Sequence, residues 1–116
     1  RAGHLHSVNP AALNVFPRIF LENERQECLL QTDNFGPVYF AEIGALCVGL
    51  IHQTFDPEKP FKAGDEKGYF DFGGSTVILV TSDRYVLPNP QILEKTSEGF
   101  ETKVFLGDLI GNATNK

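Results

Sequence analysis

Short apolar and β-branched runs, punctuated by glycine, proline, aspartate and asparagine, give this chain a strand-and-turn pattern nearly from end to end. Residues 27–32 (Glu-Cys-Leu-Leu-Gln-Thr) read as a strand, Asp33-Asn34-Phe35-Gly36 as a turn, and 37–45 as the returning arm of a hairpin. Residues 48–55 continue as a further strand. The stretch 56–62 carries Pro57 and Pro60 and so reads as a loop, because proline cannot donate to a central ladder. Residues 75–81 and 84–87 read as strands around a turn at Ser82-Asp83. Helix is confined to 10–15 and 89–96, the latter with Pro90 where a first helical turn tolerates it. The expected fold class is all-β, mainly strands with short helical turns, as a single β domain over 1–116.

A small internal repeat sharpens that expectation. Ala63-Gly-Asp-Glu-Lys-Gly68 recurs as Leu106-Gly-Asp-Leu-Ile-Gly111. A Gly-Asp turn followed by another glycine makes a tight strand connection, with glycine at positions of positive φ. Two such turns flanking strands suggest a barrel-sandwich hybrid of the lipoyl and biotinyl type. A carrier function would need a modifiable lysine at an exposed hairpin tip, beside Met or Ala. Lys59 and Lys67 have neither neighbour, and Lys62 adjoins Ala63 but no Met.

The least ordinary feature lies between Gly64 and Val80. Gly73-Gly74-Ser75-Thr76 stands between the aromatic pair Phe70 and Phe72 and the strand-like run 76–80. Glycine in a strand gives up side-chain packing and costs backbone entropy, so it marks a bulge or a close approach. A β-bulge with Ser75 and Thr76 as ordinary strand residues is one reading. The other is chemical. The Ser75 Oγ can reach the Gly74 carbonyl and turn the amide into an ester, given a base for the hydroxyl proton and donors for the oxyanion. Elimination from Ser75 would then cut the chain and leave a dehydroalanine, which tautomerises and hydrolyses to an N-terminal pyruvoyl group. Gly74 favours the attack because a residue without Cβ can take a strained geometry. Thr76 would add a hydroxyl.

Composition changes the picture only at its edges. In 116 residues, 41% hydrophobic and 22% charged content is that of an ordinary globular domain with a modest core. Ten Phe with neither Trp nor Met is unusual, and most of those rings are expected in the core. A formal net charge of −5 argues against nucleic acid as a partner and against electrostatic docking to anionic lipid. No apolar run reaches the roughly 18 residues of a membrane span; 38–51 is broken by Glu42, Gly44 and Gly49. Cys28 and Cys47 have no Cys-x-x-Cys spacing and read as free buried thiols, and His4 and His6 have no third ligand nearby, so no metal is expected.

Several blocks stand in register along the chain: Leu5-His6-Ser7-Val8-Asn9-Pro10, Asn23-Glu24-Arg25, Phe35-Gly36-Pro37-Val38, Ile43-Gly44-Ala45-Leu46-Cys47-Val48-Gly49, Gly64-Asp65-Glu66-Lys67-Gly68-Tyr69-Phe70 and Gly73-Gly74-Ser75-Thr76-Val77-Ile78. Together they resemble the phosphatidylserine decarboxylase family over nearly the whole chain. The resemblance implies a pyruvoyl-dependent lyase that cuts itself between Gly74 and Ser75, giving residues 1–74 as the end of a β chain and 75–116 as an α chain. It also points to the barrel-sandwich fold. Its pyruvoyl cofactor, derived from Ser75, would serve as the electron sink for decarboxylating an aminophospholipid.

The resemblance ties the proton donor to a histidine upstream of this chain; His6 is the local candidate, with a surface or half-buried strand residue as its plainer reading. Asn9 is a candidate for the substrate head group, or simply a turn residue before proline. Phe70 and Phe72 would flank the site on one strand face, and Leu50 stands where many members carry Ser, so it belongs to the substrate pocket or to the core. Asn23-Glu24-Arg25 reads as an ion pair at a strand entry, His52 as an exposed polar residue, and the sequon Asn112-Ala-Thr114 as part of a frayed terminus.

The family's Asp-Tyr-His-Arg-like segment, used in self-cleavage and proton handling, has no counterpart before Arg1. The chain is therefore expected to be a C-terminal fragment, uncleaved and inactive alone, whose parent is the enzyme. Expected partners are the remaining upstream β-chain segment, a second copy in a homodimer, and a membrane reached peripherally through the missing region. The same chemistry on a soluble amino acid, and a non-catalytic β binding module, stay open as alternatives.

Overall fold

The computed structural model describes residues 15, 18–45, 50–72 and 76–114. Among them, strands dominate and only two short helices occur, so the chain is all-β as its pattern predicts. The order is α1 (Ile19–Glu22), β1 (Arg25–Thr32), β2 (Gly36–Ile43), β3 (Ile51–Gln53), β4 (Gly68–Phe70), β5 (Thr76–Val80), β6 (Val86–Pro88), α2 (Pro90–Ser97) and β7 (Gly111–Ala113). These make a three-stranded sheet in the order β1-β2-β5 and two antiparallel pairs, β3-β4 and β6-β7.

Residues 33–35 connect β1 to β2, and the turn is held by a threonine. Thr32 Oγ1 accepts from the Phe35 amide at 2.9 Å and donates to the Gly36 carbonyl at 2.8 Å. The chain divides into two compact units, one from 1–28 and 40–78 and the other from 29–39 and 79–116. The first holds most of the buried apolar side chains: Ile19, Ala41, Ile43, Ala45 and Ile51. It also buries a polar group completely. Asn23 is 0% exposed, ends α1 by donating its amide to the Ile19 carbonyl at 2.9 Å, and sends its side-chain Nδ2 to the Gly44 carbonyl at 2.8 Å. Leaving that carbonyl unpaired would cost about 1–3 kcal/mol, which explains an asparagine at this site. Arg25 serves the same corner, donating to the Asn23 and Leu21 carbonyls. Asn23 and Arg25 thus hold this strand entry through main-chain acceptors.

In the second unit, Asn89 is the N-cap of α2. Its Oδ1 accepts from the Gln91 amide and its Nδ2 donates to the Leu109 carbonyl, both at 2.9 Å. Pro90 opens the helix, as its position allows. The segment 112–114 is ordered: Asn112 pairs with Leu87 in β7, and the Thr114 amide donates to the Tyr85 carbonyl at 2.9 Å, so the sequon is part of a strand end and is not frayed.

The Gly-Asp repeat turns out to mark a larger equivalence. Lys62–Asp65 and Phe105–Asp108 are the same turn: the Asp amide returns to the carbonyl three residues back at 3.1 and 3.0 Å. The Asp carboxylate in turn takes the amide of that same first residue, at 2.7 Å in both. Gly64 and Gly107 occupy the third position with φ of +92° and +94°, the type II geometry that favours glycine. Each turn leads into a strand that begins with glycine, Gly68 or Gly111, paired with Gln53 or Pro88. The pairs close alike at both ends. Thr54 N–H donates to Lys67 C=O as Asn89 N–H does to Ile110 C=O, and Asp71 N–H donates to Leu50 C=O as Thr114 N–H does to Tyr85 C=O. One hairpin frame is therefore used twice, with residues 54–67 or 89–110 as its connection.

Candidate functional site

The two glycines and Ser75 lie outside the described residues, as do His6 and Asn9, so the site is built from what leads into and out of 73–75. On the upstream side the chain runs through β4, and Gly68 is required there. A Cβ on Gly68 would stand 2.2 Å from the His52 carbonyl oxygen, so only glycine lets the two backbones meet in this register. The register sets His52 opposite Tyr69 and Ile51 opposite Phe70. The His52 and Tyr69 rings stack, with centroids 4.8 Å apart and planes 16° from parallel.

Residues two apart on a strand share a face, so Asp71 falls on the side of Tyr69 and diagonal to His52. Its Oδ2 lies 2.9 Å from His52 Nε2, and its amide donates to the Leu50 carbonyl at 3.0 Å. Main chain and side chain of Asp71 are both held. Phe72 follows with φ +57°, a left-handed conformation unusual for a bulky residue, and its side chain is 91% exposed. The downstream side begins at Thr76, half-buried at the start of β5.

Of the candidate residues, the structure brings Leu50 and Phe70 to one end of the β3-β4 pair, next to Asp71. Leu50 is half-exposed, so it does not fill a core position. Phe70 and Phe72 do not share a strand face. Phe70 is half-buried in β4, whereas Phe72 lies beyond the strand in a turn and points to solvent, because the backbone reverses hand between them. His52 is likewise not a bare polar surface residue: it is hydrogen-bonded through Asp71 and stacked on Tyr69. The one signal for this in the sequence is the alternation Tyr69, Asp71 just ahead of the glycine pair, which puts a carboxylate on one face three residues before Gly74. Cys28 is a free, half-buried thiol, and Cys47 falls outside the described residues.

Beside this hairpin lies a buried charge. Glu42 on β2 is 6% exposed. Lys67 Nζ donates to its Oε1 at 2.7 Å and to Gln53 Oε1 at 2.9 Å, while Gln53 Nε2 donates to the other carboxylate oxygen of Glu42. The ammonium also sits 4.8 Å from the ring centroids of both Phe40 and Phe55. The network ties β2 to both arms of the pair that delivers Asp71.

A family model described as phosphatidylserine decarboxylase matches residues 1–112, spanning both flanks of the glycine pair. The chain belongs to the phosphatidylserine decarboxylase family. Its curated relatives include a protein named phosphatidylserine decarboxylase proenzyme from Clostridium botulinum (strain Eklund 17B / Type B), 52% identical over 109 residues, covering 94% of this chain and 37% of the relative. The proenzyme of the same name from Clostridium perfringens (strain ATCC 13124) is 49% identical over 96% of this chain and 38% of the relative. That of Ruminiclostridium cellulolyticum is 46% identical over 98% of this chain and 38% of the relative. The chain thus spans a little over a third of the length of these phosphatidylserine decarboxylase relatives. No solved structure matches it. Among the described residues, no helix is long and apolar enough to cross a membrane.

Proposed function

We propose that this chain is the self-cleaving and cofactor-forming part of a pyruvoyl-dependent decarboxylase that converts phosphatidylserine to phosphatidylethanolamine and carbon dioxide. The observation that carries the reading is the family match running through Gly73-Gly74-Ser75-Thr76, to relatives named as proenzymes. In maturation, the Ser75 Oγ attacks the Gly74 carbonyl, the Ser75 nitrogen leaves as an amine, and an ester joins the two residues. Loss of the Ser75 Cα proton then expels the Gly74 carboxylate. The dehydroalanine left on 75–116 tautomerises and takes up water, releasing ammonia and leaving a pyruvoyl group.

The flanking residues fit such a group. The scissile peptide would lie between a left-handed Phe72, held back by Asp71, and Thr76 at the start of β5. The pyruvoyl carbonyl, once formed, supplies the electron sink for decarboxylation. Thr76 then carries the amide next to it, His6 is the candidate within this chain for delivering a proton, and Asn9, Leu50, Phe70 and Phe72 are candidates for contact with the substrate. Residues upstream in the full-length relatives would supply the cleavage base, and would bring the protein to the membrane surface as a peripheral homodimer.

Intact-mass spectrometry tests the reading on the protein expressed from its complete reading frame, beside its Ser75→Ala variant. The expected result is a break after Gly74, a pyruvoyl-blocked C-terminal piece, and an uncut variant. One uncut mass in both samples would overturn it. Supplying phosphatidylserine and free serine separately to the matured protein then decides the substrate. Carbon dioxide from free serine alone would replace the lipid with a soluble amino acid.

A further inference from the structure

The two hairpin frames contain an internal control. Position for position, Leu87 corresponds to His52, and Thr114 to Asp71. The β6-β7 pair closes with the same main-chain hydrogen bonds, without any histidine or aspartate in those places. The frame itself therefore does not need a His–Asp pair. The pair occurs only in the copy that runs into Gly73-Gly74-Ser75.

We propose that His52 and Asp71 are positioning residues for self-cleavage: hydrogen-bonded at 2.9 Å, they fix the backbone that carries the Gly74 carbonyl to Ser75 Oγ. The inference rests on the self-cleavage reading above. A non-glycine residue in the left-handed region is strained and persists only where its neighbours over-determine it. Phe72 receives no such help from its own side chain, which is 91% exposed. The restraint comes instead from Asp71, whose amide is tied to Leu50 and whose carboxylate is tied to His52. His52 is itself fixed from the other side by the stacked Tyr69 ring and by the register that Gly68 permits. Among the described residues, Asp71 is thus the last doubly anchored one before the glycine pair, and glycine, without a Cβ, adds little restraint of its own. Neither side chain takes or gives a proton in this role. They act through the main chain, by reducing the conformations from which Ser75 can attack.

The test uses the protein expressed from its complete reading frame, with cleavage followed by intact mass after timed quenching. The variants are His52→Leu, which copies the other hairpin, Asp71→Ala, Asp71→Asn, and the double variant His52→Leu/Asp71→Ala. Each is also assayed with hydroxylamine, which cuts the ester and so reports on its formation apart from the later elimination. Melting temperatures accompany every variant.

The expected result is that His52→Leu and Asp71→Ala slow cleavage about ten- to a hundredfold, as misplacing a reacting group does. Hydroxylamine-driven cleavage should fall in parallel. Asn, which keeps an acceptor for the ring N–H, should restore the rate to within about threefold, and the double variant should be no slower than the singles. Wild-type rates in the single variants would overturn the inference and leave the decarboxylase reading standing. So would slowing that follows a lowered melting temperature and is not rescued by Asn. An uncut wild-type protein would overturn both readings together.

Discussion

Lys67 shows how much one side chain carries here. It is 22% exposed, pairs with a carboxylate that is 9% exposed, and fills the space between two phenyl rings. In such a setting the attraction roughly offsets the cost of desolvating both ions, so the pair adds little net stability against an apolar substitute. Removing one partner is another matter, because it strands the other charge. Lys67→Met should destabilise the domain by about 3–5 kcal/mol, read as a fall in the urea midpoint, and Glu42→Gln in the same protein should recover most of that loss. A cost below about 1 kcal/mol for the single change would mean that the two charges are solvated and the network is absent in solution. None of this was visible in the sequence. Lys67 lies 25 positions from Glu42 and 14 from Gln53, and only the fold brings them together. The same holds for His52 and Asp71, 19 positions apart, whereas Asn23 could be suspected as a strand entry but not as a fully buried one.

Among the elements, the long strands were legible, β3 and β6 fall within or across the strands read at 48–55 and 84–87, and β4 and β7 were not foreseen. Residues 27–32 and 37–45 read as a hairpin because alternate apolar positions, a Gly-containing turn and a proline at a strand start all agree, and β1 and β2 follow with ends shifted by one or two residues. The helix at 89–96 was readable from Asn89-Pro90, a cap followed by a first-turn proline. The single turn of α1 gave no such signal, since its only buried residue is Ile19. β4 and β7 each begin at a glycine that looks like part of the preceding turn. That glycine is a packing requirement, and the two copies differ in how tight it is. A Cβ at 68 meets the His52 carbonyl oxygen at 2.2 Å; one at 111 meets the Leu87 carbonyl oxygen at 2.9 Å. Both neighbours are backbone and cannot swing aside. Gly68→Ala should therefore push β4 off β3 and cost more than Gly111→Ala, by about 1–3 kcal/mol, the range in which overpacking is felt. Equal midpoints for the two variants in a urea titration would show that the β3-β4 register is looser than these contacts require. In the full-length protein, Gly68→Ala should also slow cleavage at Gly74, because the displaced strand carries Asp71.

For the molecule as a whole, the proposed cut falls between β4 and β5, which belong to different sheets. After cleavage, residues 75–116 would keep β5 hydrogen-bonded to β2 and would contain the entire β6-β7 frame, while 1–74 would keep β1, β2 and the β3-β4 frame. Neither piece loses a described hairpin, and no described strand is cut internally. The duplicated frame explains why: each copy closes within itself, by the paired hydrogen bonds at 54–67 and 50–71 or at 89–110 and 85–114. The two products should therefore stay together in native buffer and co-elute as one species, separating only in denaturant. Dissociation on cleavage without denaturant would contradict this, since it would mean that the β2-β5 pairing is too weak to replace the lost peptide bond. Val77, Leu79 and Val80 on β5 are all substantially exposed, so the ladder, more than side-chain burial, has to hold that strand. Introducing proline at Ile78, in the middle of β5, fixes φ away from the extended value and breaks the strand there, and should convert the co-eluting pair into separable pieces. Val77→Thr on an exposed position should leave them joined. If the proline variant also stays joined, the association resides in contacts other than the β2-β5 ladder.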